Sequence, residues 1–196
     1  GFDFRPSYLN IAKLKEEKQD IPFIALTATA TPEVVVDIQE QLKFKQPNTL
    51  QKSFERKNLT YVVKYEEDKN KKLLAILNSV KGTSVVYVRS RKKTKEVAYF
   101  LQLNGIQADF YHAGLSNEER NLKQNNWIND TNRVIVSTNA FGMGIDKPNV
   151  RSVVHMDLPD SLEAYFQEAG RAGRDEEKAY AILLFEEADR IDLEER

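Results

Sequence analysis

The chain has 196 residues, of which 41% are hydrophobic and 30% are charged, with a formal net charge of -1. This length suits one ordinary domain with a proper core plus a small appendage, and two complete domains would be crowded. No apolar run is long enough to cross a bilayer, so no membrane role is expected. The absence of cysteine excludes disulfides and thiolate metal ligands, and two histidines without paired spacing argue against a metal site.

The first residue is not methionine, and no basic stretch followed by an apolar one marks a signal peptide. We therefore expect an excised piece of an intracellular protein. Its charge is uneven: six basic and no acidic residues lie between Lys81 and Lys95, whereas eight acidic and three basic residues lie between Glu176 and Arg196. The basic run indicates either a nucleic-acid contact or an ordinary solvated helix face.

Short β-branched runs alternate with amphipathic stretches, a pattern typical of βαβ units and a parallel sheet. In chain order, we predict a helix over about Tyr8 to Lys18, a strand over Phe23 to Thr27 and a helix over Pro32 to Leu42. The later predicted strands are Leu59 to Val63, Ser84 to Val88, Ala108 to Tyr111, Arg133 to Ser137, Ser152 to Met156 and Ala179 to Phe185. The later predicted helices are Lys71 to Val80, Lys93 to Asn104, Asn117 to Ile128 and Leu162 to Ala169.

The segment Gln46 to Thr49 has the composition of a linker, and only one strand precedes it. One strand cannot make an open sheet. Residues 1 to about 46 therefore indicate the tail of a preceding domain, and residues 50 to 196 contain enough strands for a complete α/β lobe.

The strongest chemical signal is the segment Gln167 to Asp175, in which glycine and alanine separate Arg171 from Arg174. Glycines 170 and 173 favour fraying of the helix, so both guanidinium groups can extend from its end. Guanidinium is always charged and forks onto phosphate oxygens, which suits a transferring phosphoryl group. The bare spacing is equally typical of a surface arginine pair.

Further candidates follow two predicted strands. Thr138 stands at the carboxyl end of one strand, where ligands bind in open α/β folds, and the glycines before Asp146 let the backbone approach a phosphate or ribose. Ser90 and Arg91 end another strand just before a lysine-rich helix, which suggests a grip on a phosphate backbone. The glycine-containing loop between Thr138 and Asp146 is also consistent with a plain turn between a strand and a helix. Trp127 closes an amphipathic helix and is predicted to belong to the core.

Together these segments resemble the RecQ family of superfamily 2 helicases, in the family's order and over nearly the entire chain. The matching segments are Asp3-Phe4-Arg5-Pro6 (the end of the aromatic-rich loop), Leu26-Thr27-Ala28-Thr29-Ala30 (motif III), Val86-Tyr87-Val88-Arg89-Ser90-Arg91 (motif IV), Tyr111-His112-Ala113-Gly114-Leu115, Ser137 to Arg151 (motif V) and Gln167 to Asp175 (motif VI). The resemblance implies an α/β fold, with a second RecA-like lobe over residues 50–196 and a remnant of the first lobe over 1–46.

The resemblance also implies a role for each candidate residue. Arg174 would be the arginine finger, assisted by Arg171 and Gln167, with Asp146 and Gly144 near the nucleotide. The residues implied to face DNA are Ser90, Arg91, Lys93, His112 and Thr138. The residues implied to couple DNA occupancy or nucleotide state to the motor are Phe4, Arg5, Thr27 and Thr29.

The implied activity is a 3′-to-5′ DNA helicase that unwinds duplex DNA in recombination and repair, in the bacterial cytoplasm or a eukaryotic nucleus. ATP and Mg²⁺ would be held mainly by residues upstream of Gly1, because no Gly-x-x-x-x-Gly-Lys-Thr or Asp-Glu-x-His segment occurs in the chain. The chain alone is therefore expected to be inactive and to bind no cofactor. The implied partners are single-stranded and duplex DNA, and an exposed strand at Phe23 to Thr27 would permit an artefactual dimer. A binding module without motor activity and a DEAD-box RNA helicase remain the alternatives.

Overall fold

A computed structural model of the chain describes residues 10–18, 21–27, 30–44, 48–51, 53, 55–141 and 145–194. It divides into two compact units, Gly1–Phe54 and Glu55–Arg196. The division falls a few residues after the linker predicted at Gln46 to Thr49. That the first unit is a remnant of another lobe stays a prediction.

The first unit contains helices α1 (Asn10–Glu17) and α2 (Pro32–Gln41). The hydroxyl of Thr31 accepts a hydrogen bond from the Val34 amide and so caps α2, as its sequence indicates. The predicted strand at Phe23 to Thr27 is wrong, because residues 22–27 have no strand hydrogen bonding. A strand needs a partner for its backbone groups, and no other strand is described in this unit.

The second unit is built on a six-stranded sheet in the order β1-β6-β5-β2-β4-β3, in which every neighbouring pair is parallel. The strands are β1 (Leu59–Tyr65), β2 (Thr83–Tyr87), β3 (Ala108–Tyr111), β4 (Val134–Ser137), β5 (Val150–His155) and β6 (Ala179–Phe185). The α/β fold with a parallel sheet flanked by helices is thus confirmed.

Helices connect the strands as crossovers. They are α3 (Lys69–Ser79), α4 (Arg91–Leu103), α5 (Asn117–Ile128) and α6 (Leu162–Ala169), followed by α7 (Glu187–Glu194) after the last strand. Ser116 and Glu119 form the capping box that begins α5. No described helix combines the length and the apolar character needed to cross a membrane.

Two apolar layers cover the sheet, one on each face. Val85 belongs to the layer that includes Trp127 of α5 and Tyr165 of α6, whereas Val86 belongs to the layer that includes Leu73 of α3 and Leu101 of α4. This follows from the two-residue period of a strand. Trp127 is 2% exposed, which confirms its predicted place in the core.

The strand order creates one switch point. From β2 the chain crosses through α4 to β3, whereas from β5 it crosses through α6 to β6 on the other side. Since β2 and β5 are neighbours, their outgoing connections diverge and leave a crevice at their carboxyl ends. Ligands of open α/β sheets bind at such a crevice.

Candidate nucleotide and nucleic-acid site

A cleft of about 110 Å³ lies at this switch point. Its walls come from the ends of β2 and β5 and from α6, and include Tyr87, Arg89, His155, Asp157 and Glu168. Asp157 is held in place because its carboxylate accepts hydrogen bonds from the Arg89 amide at 2.8 Å and from the Lys93 ammonium at 2.6 Å. The cleft therefore has a fixed polar wall next to motif IV.

Buried aromatic contacts connect the strand ends to α6. The Nε2 atom of His155 lies 2.8 Å from a carboxylate oxygen of Glu168, and the His155 ring stacks on Tyr87 with centroids 5.1 Å apart. The Tyr87 hydroxyl donates to the carbonyl of Phe141 at 3.0 Å. Burial raises the pKa of this hydroxyl, and the neighbouring guanidinium of Arg171 acts in the opposite direction. The Arg171 guanidinium therefore lies near the Tyr87 hydroxyl.

Helix α6 ends at Ala169, and the residues that follow form turns, with Gly173 at a φ of +63°. This confirms that the helix does not continue through the two arginines. Gln167 lies on the last turn of α6 and is exposed, whereas Arg171 and Arg174 lie in the turns after the helix.

Arg174 instead reaches the loop after β4. Its guanidinium donates to the Asp146 carboxylate at 2.9 Å, with the two side chains 38% and 82% exposed. Two backbone hydrogen bonds also join the turn after α6 to residues 148–150, at the start of β5. The Gly173 amide donates to the Val150 carbonyl at 2.8 Å, and the Asp175 amide donates to the Pro148 carbonyl at 3.2 Å. The structure therefore brings together two of the predicted nucleotide residues, Arg174 and Asp146, at an accessible surface.

A second cleft lies at the start of α4 and is lined by Arg91, Lys92, Lys95, His112 and Gly114. His112 is 5% exposed, and neither ring nitrogen has a hydrogen-bond partner among the described residues. Burial, followed by the charges of Lys95 and Arg91, lowers the pKa of His112 and favours the neutral ring. A neutral imidazole with three cations around it suits an anion that can accept a hydrogen bond.

Glycine at position 114 leaves room for the Arg91 guanidinium. A Cβ atom there would lie 2.9 Å from Nη1 of Arg91 and 3.3 Å from Nδ1 of His112. Without that atom, the guanidinium can lie beside the imidazole. Neither Lys95 nor Gly114 was among the residues predicted to face DNA. The (i, i+4) spacing of Arg91 and Lys95 on one helix face was the signal available for the lysine.

The other predicted DNA residues are placed differently. Ser90 caps α4, because its hydroxyl accepts a hydrogen bond from the Lys93 amide at 3.0 Å. The Lys93 ammonium pairs with Asp157 in the first cleft and does not line the second. Thr138 is partly buried at the end of β4, and its hydroxyl accepts a hydrogen bond from the Ala140 amide at 3.4 Å.

The predicted residues Phe4, Arg5, Thr29 and Gly144 lie outside the described residues, and Thr27 is exposed. Within the described ranges, no group of three or more histidine, aspartate or glutamate residues is arranged to hold a metal ion. The predicted coupling roles stay predictions.

Residues 68–176 match the family model described as the helicase conserved C-terminal domain. That range includes the switch-point cleft, the basic cleft and the pair of Asp146 with Arg174. The chain belongs to this helicase family. Its sequence is 44% identical to the ATP-dependent DNA helicase RecQ of Bacillus subtilis over 96% of this chain and 32% of that protein. It is 45% identical to the ATP-dependent helicase SGS1 of Saccharomyces cerevisiae over 94% of this chain and 13% of that protein.

The resemblance to RecQ helicases is thereby confirmed, and the chain spans about a third of the Bacillus subtilis helicase. Among solved structures, the Escherichia coli DEAD-box protein SrmB, bound to regulator of ribonuclease activity A, aligns with a TM-score of 0.61 and 29% identity. That alignment covers 68% of this chain and 79% of the SrmB chain. The RecA-like fold of the helicase C-terminal domain is confirmed.

Proposed function

We propose that this chain supplies the second RecA-like lobe of a RecQ-type, ATP-dependent 3′-to-5′ DNA helicase, with ATP and Mg²⁺ bound mainly by a preceding lobe. One observation carries the proposal. Two clefts of different chemistry open near the carboxyl ends of one parallel sheet, with an accessible arginine and carboxylate pair on the loops beside them. A motor that couples nucleotide hydrolysis to movement on nucleic acid needs both kinds of site on one rigid body.

On the nucleotide side, Arg174 is the arginine finger. Its side chain is accessible, and among the described residues its ion-pair partner is the exposed carboxylate of Asp146. An ion pair between exposed groups is worth only about 0 to 1 kcal/mol, so a γ-phosphoryl group can displace it. Once released, Arg174 stabilises the charge of the transferring phosphoryl group, and Asp146 becomes free to accept hydrogen bonds from ribose hydroxyls.

Arg171 has an indirect part in the same site. Because it lies against the buried Tyr87, it ties the turn after α6 to the end of β2. This contact helps to fix the backbone from which Arg174 extends. Gln167, exposed on the last turn of α6, assists at the γ-phosphate.

On the DNA side, the basic cleft receives one phosphate of a single strand. Arg91 and Lys95 supply charge, and the unpartnered ring of His112 supplies a hydrogen bond that requires no charged imidazole. Contacts of this kind bind the backbone without reading sequence, as expected for a translocating enzyme. Ser90 caps α4 and so positions its first turn. Lys93 pairs with Asp157 and does not itself contact the phosphate.

The test compares ATP hydrolysis by this chain with hydrolysis by the complete helicase core that includes the preceding lobe. The chain alone should hydrolyse no ATP, and the complete core should hydrolyse it when single-stranded DNA is added and should separate a duplex with a 3′ overhang. Binding of DNA without hydrolysis by the complete core would support a binding module instead. Stronger stimulation by RNA of the same sequence would support an RNA helicase.

A further inference from the structure

Two residues just before β1, Arg56 and Asn58, contact the turn that carries the two arginines of motif VI. The Nη2 atom of Arg56 donates to the carbonyl of Ala172 at 3.0 Å and to that of Gly173, and its Nη1 atom donates to Gly170 at 3.5 Å. One guanidinium thus binds three backbone carbonyls of the turn that follows α6. No local sequence pattern predicts this contact, because the partners are 114 to 117 positions apart.

Asn58 completes the same grip. Its side-chain nitrogen donates to the carbonyls of Gly173 at 2.7 Å and Glu177 at 2.8 Å, and its oxygen accepts from Nε of Arg56 at 3.4 Å. Its backbone carbonyl accepts from the amide of Ala179 at the start of β6. The pair therefore attaches the turn to the edge of the sheet.

Other contacts also hold the turn: the Gly173 and Asp175 amides donate to the carbonyls of Val150 and Pro148, and Arg151 pairs with Asp175. Gly173 adopts a left-handed conformation, and a Cβ atom there would lie 2.6 Å from the side-chain nitrogen of Asn58 and 2.8 Å from Cβ of Ala179. Glycine has the widest backbone freedom of any residue, so such a turn is ordered mainly by contacts from outside. The carbonyls bound by Arg56 lie immediately before and between Arg171 and Arg174.

We infer that Arg56 and Asn58 are positioning residues for the arginine finger: they fix the backbone from which Arg171 and Arg174 extend. The inference rests on the proposed function, since it gives Arg174 its role. A displacement of about 1 Å at a catalytic group can lower turnover on the order of a hundredfold. The two residues touch no nucleotide in this scheme and act through the turn alone.

The test uses the complete helicase core with Arg56→Ala, Arg174→Ala and the double variant, measuring kcat and KM for ATP. Arg56→Ala should lower kcat on the order of tenfold to a hundredfold, with KM changed by less than about threefold, because a transition-state contact is misplaced. Arg56→Lys should recover part of the loss, since an ammonium donates to carbonyls but has no planar fork. The double variant should be no slower than Arg174→Ala.

Arg133→Ala is the matched control. Arg133 also binds carbonyls at a helix end, those of Leu77 in the last turn of α3 and of Val80 and Gly82 after it. It precedes β4, which three strands separate from β1. It should lower stability without lowering kcat. Equal loss of kcat in Arg133→Ala, unchanged kcat in Arg56→Ala, or a further multiplied loss in the double variant would overturn the inference.

Amide hydrogen exchange separates this inference from the proposed function. In the present chain, Arg56→Ala should speed exchange at residues 171–177 while the amides of β2 and β4 stay protected. If Arg174→Ala keeps normal turnover, the proposed function fails, yet this exchange pattern would still report the grip on the turn. Unchanged exchange at residues 171–177 would overturn the grip itself. Should Arg56→Ala fail to fold, Asn58→Asp, which replaces the donor with an acceptor, must give the same pattern.

Discussion

Removal of Arg91 tests the basic cleft most sharply. Its side chain is exposed and has no ion pair among the described residues, while Gly114 leaves space for it beside His112. Arg91→Ala should therefore remove one phosphate contact without unfolding the lobe. For single strands the logarithm of affinity falls with the logarithm of salt by about 0.7 per contact. When the salt concentration is raised from 50 to 200 mM, the factor by which DNA affinity falls should be about 2.6 times smaller for the variant than for the unaltered chain.

The assay is fluorescence anisotropy with a labelled, single-stranded oligonucleotide at four salt concentrations. Lys64→Ala is the matched control, because it removes one positive charge from an exposed position on β1, at the opposite edge of the sheet from β3. It should leave the salt slope unchanged. Equal slopes for Arg91→Ala and the unaltered chain would refute the assignment of a phosphate to this cleft, as would an equal change in Lys64→Ala.

Two further predictions concern stability. Burial lowers the pKa of His112 in the folded chain. The unfolded chain therefore takes up a proton near pH 6.5, which the folded chain does not bind until the pH is lower. The free energy of unfolding should thus decrease as the pH falls below about 6.5. The decrease in melting temperature from pH 7.5 to pH 5.5 should be larger for the unaltered chain than for His112→Gln. An equal decrease in both would contradict this role of His112. Trp127→Ala should cost about 3 to 5 kcal/mol in urea unfolding, because it removes a buried ring and its hydrogen bond to the Ser84 carbonyl. A loss below about 1 kcal/mol would contradict that core role.

Where local chemistry decides an element, the sequence predicts it well. The bounds predicted for α5 and α6 agree with the structure, because Ser116 and Ser161 cap those helices with their hydroxyls. The bounds of β3 and β6 also agree, since a polar residue flanks each end of these short runs, both of which contain aromatic residues. In contrast, α7 is absent from the helices predicted from the sequence.

Contacts between distant residues account for most of the remaining differences. Phe23 to Thr27 has strand composition, but composition cannot supply the partner that a strand requires. Lys93 has the charge and position of a DNA contact, yet its ammonium pairs with Asp157, which is 64 positions away. The grip of Arg56 on the motif VI turn has no local signal at all. Residue types therefore indicated the chemistry of the site, and the topology decided which residues meet.

The role of Arg174 is the central claim, and the turnover of ATP by the complete helicase core carrying Arg174→Ala tests it most directly. A transition-state contact predicts that DNA-stimulated kcat falls on the order of a thousandfold, while the affinity for a non-hydrolysable ATP analogue changes far less. Single-stranded DNA binding should be unaffected, since the basic cleft is built from other residues. Normal turnover in the variant would contradict the account, and so would a loss of nucleotide affinity as large as the loss of turnover.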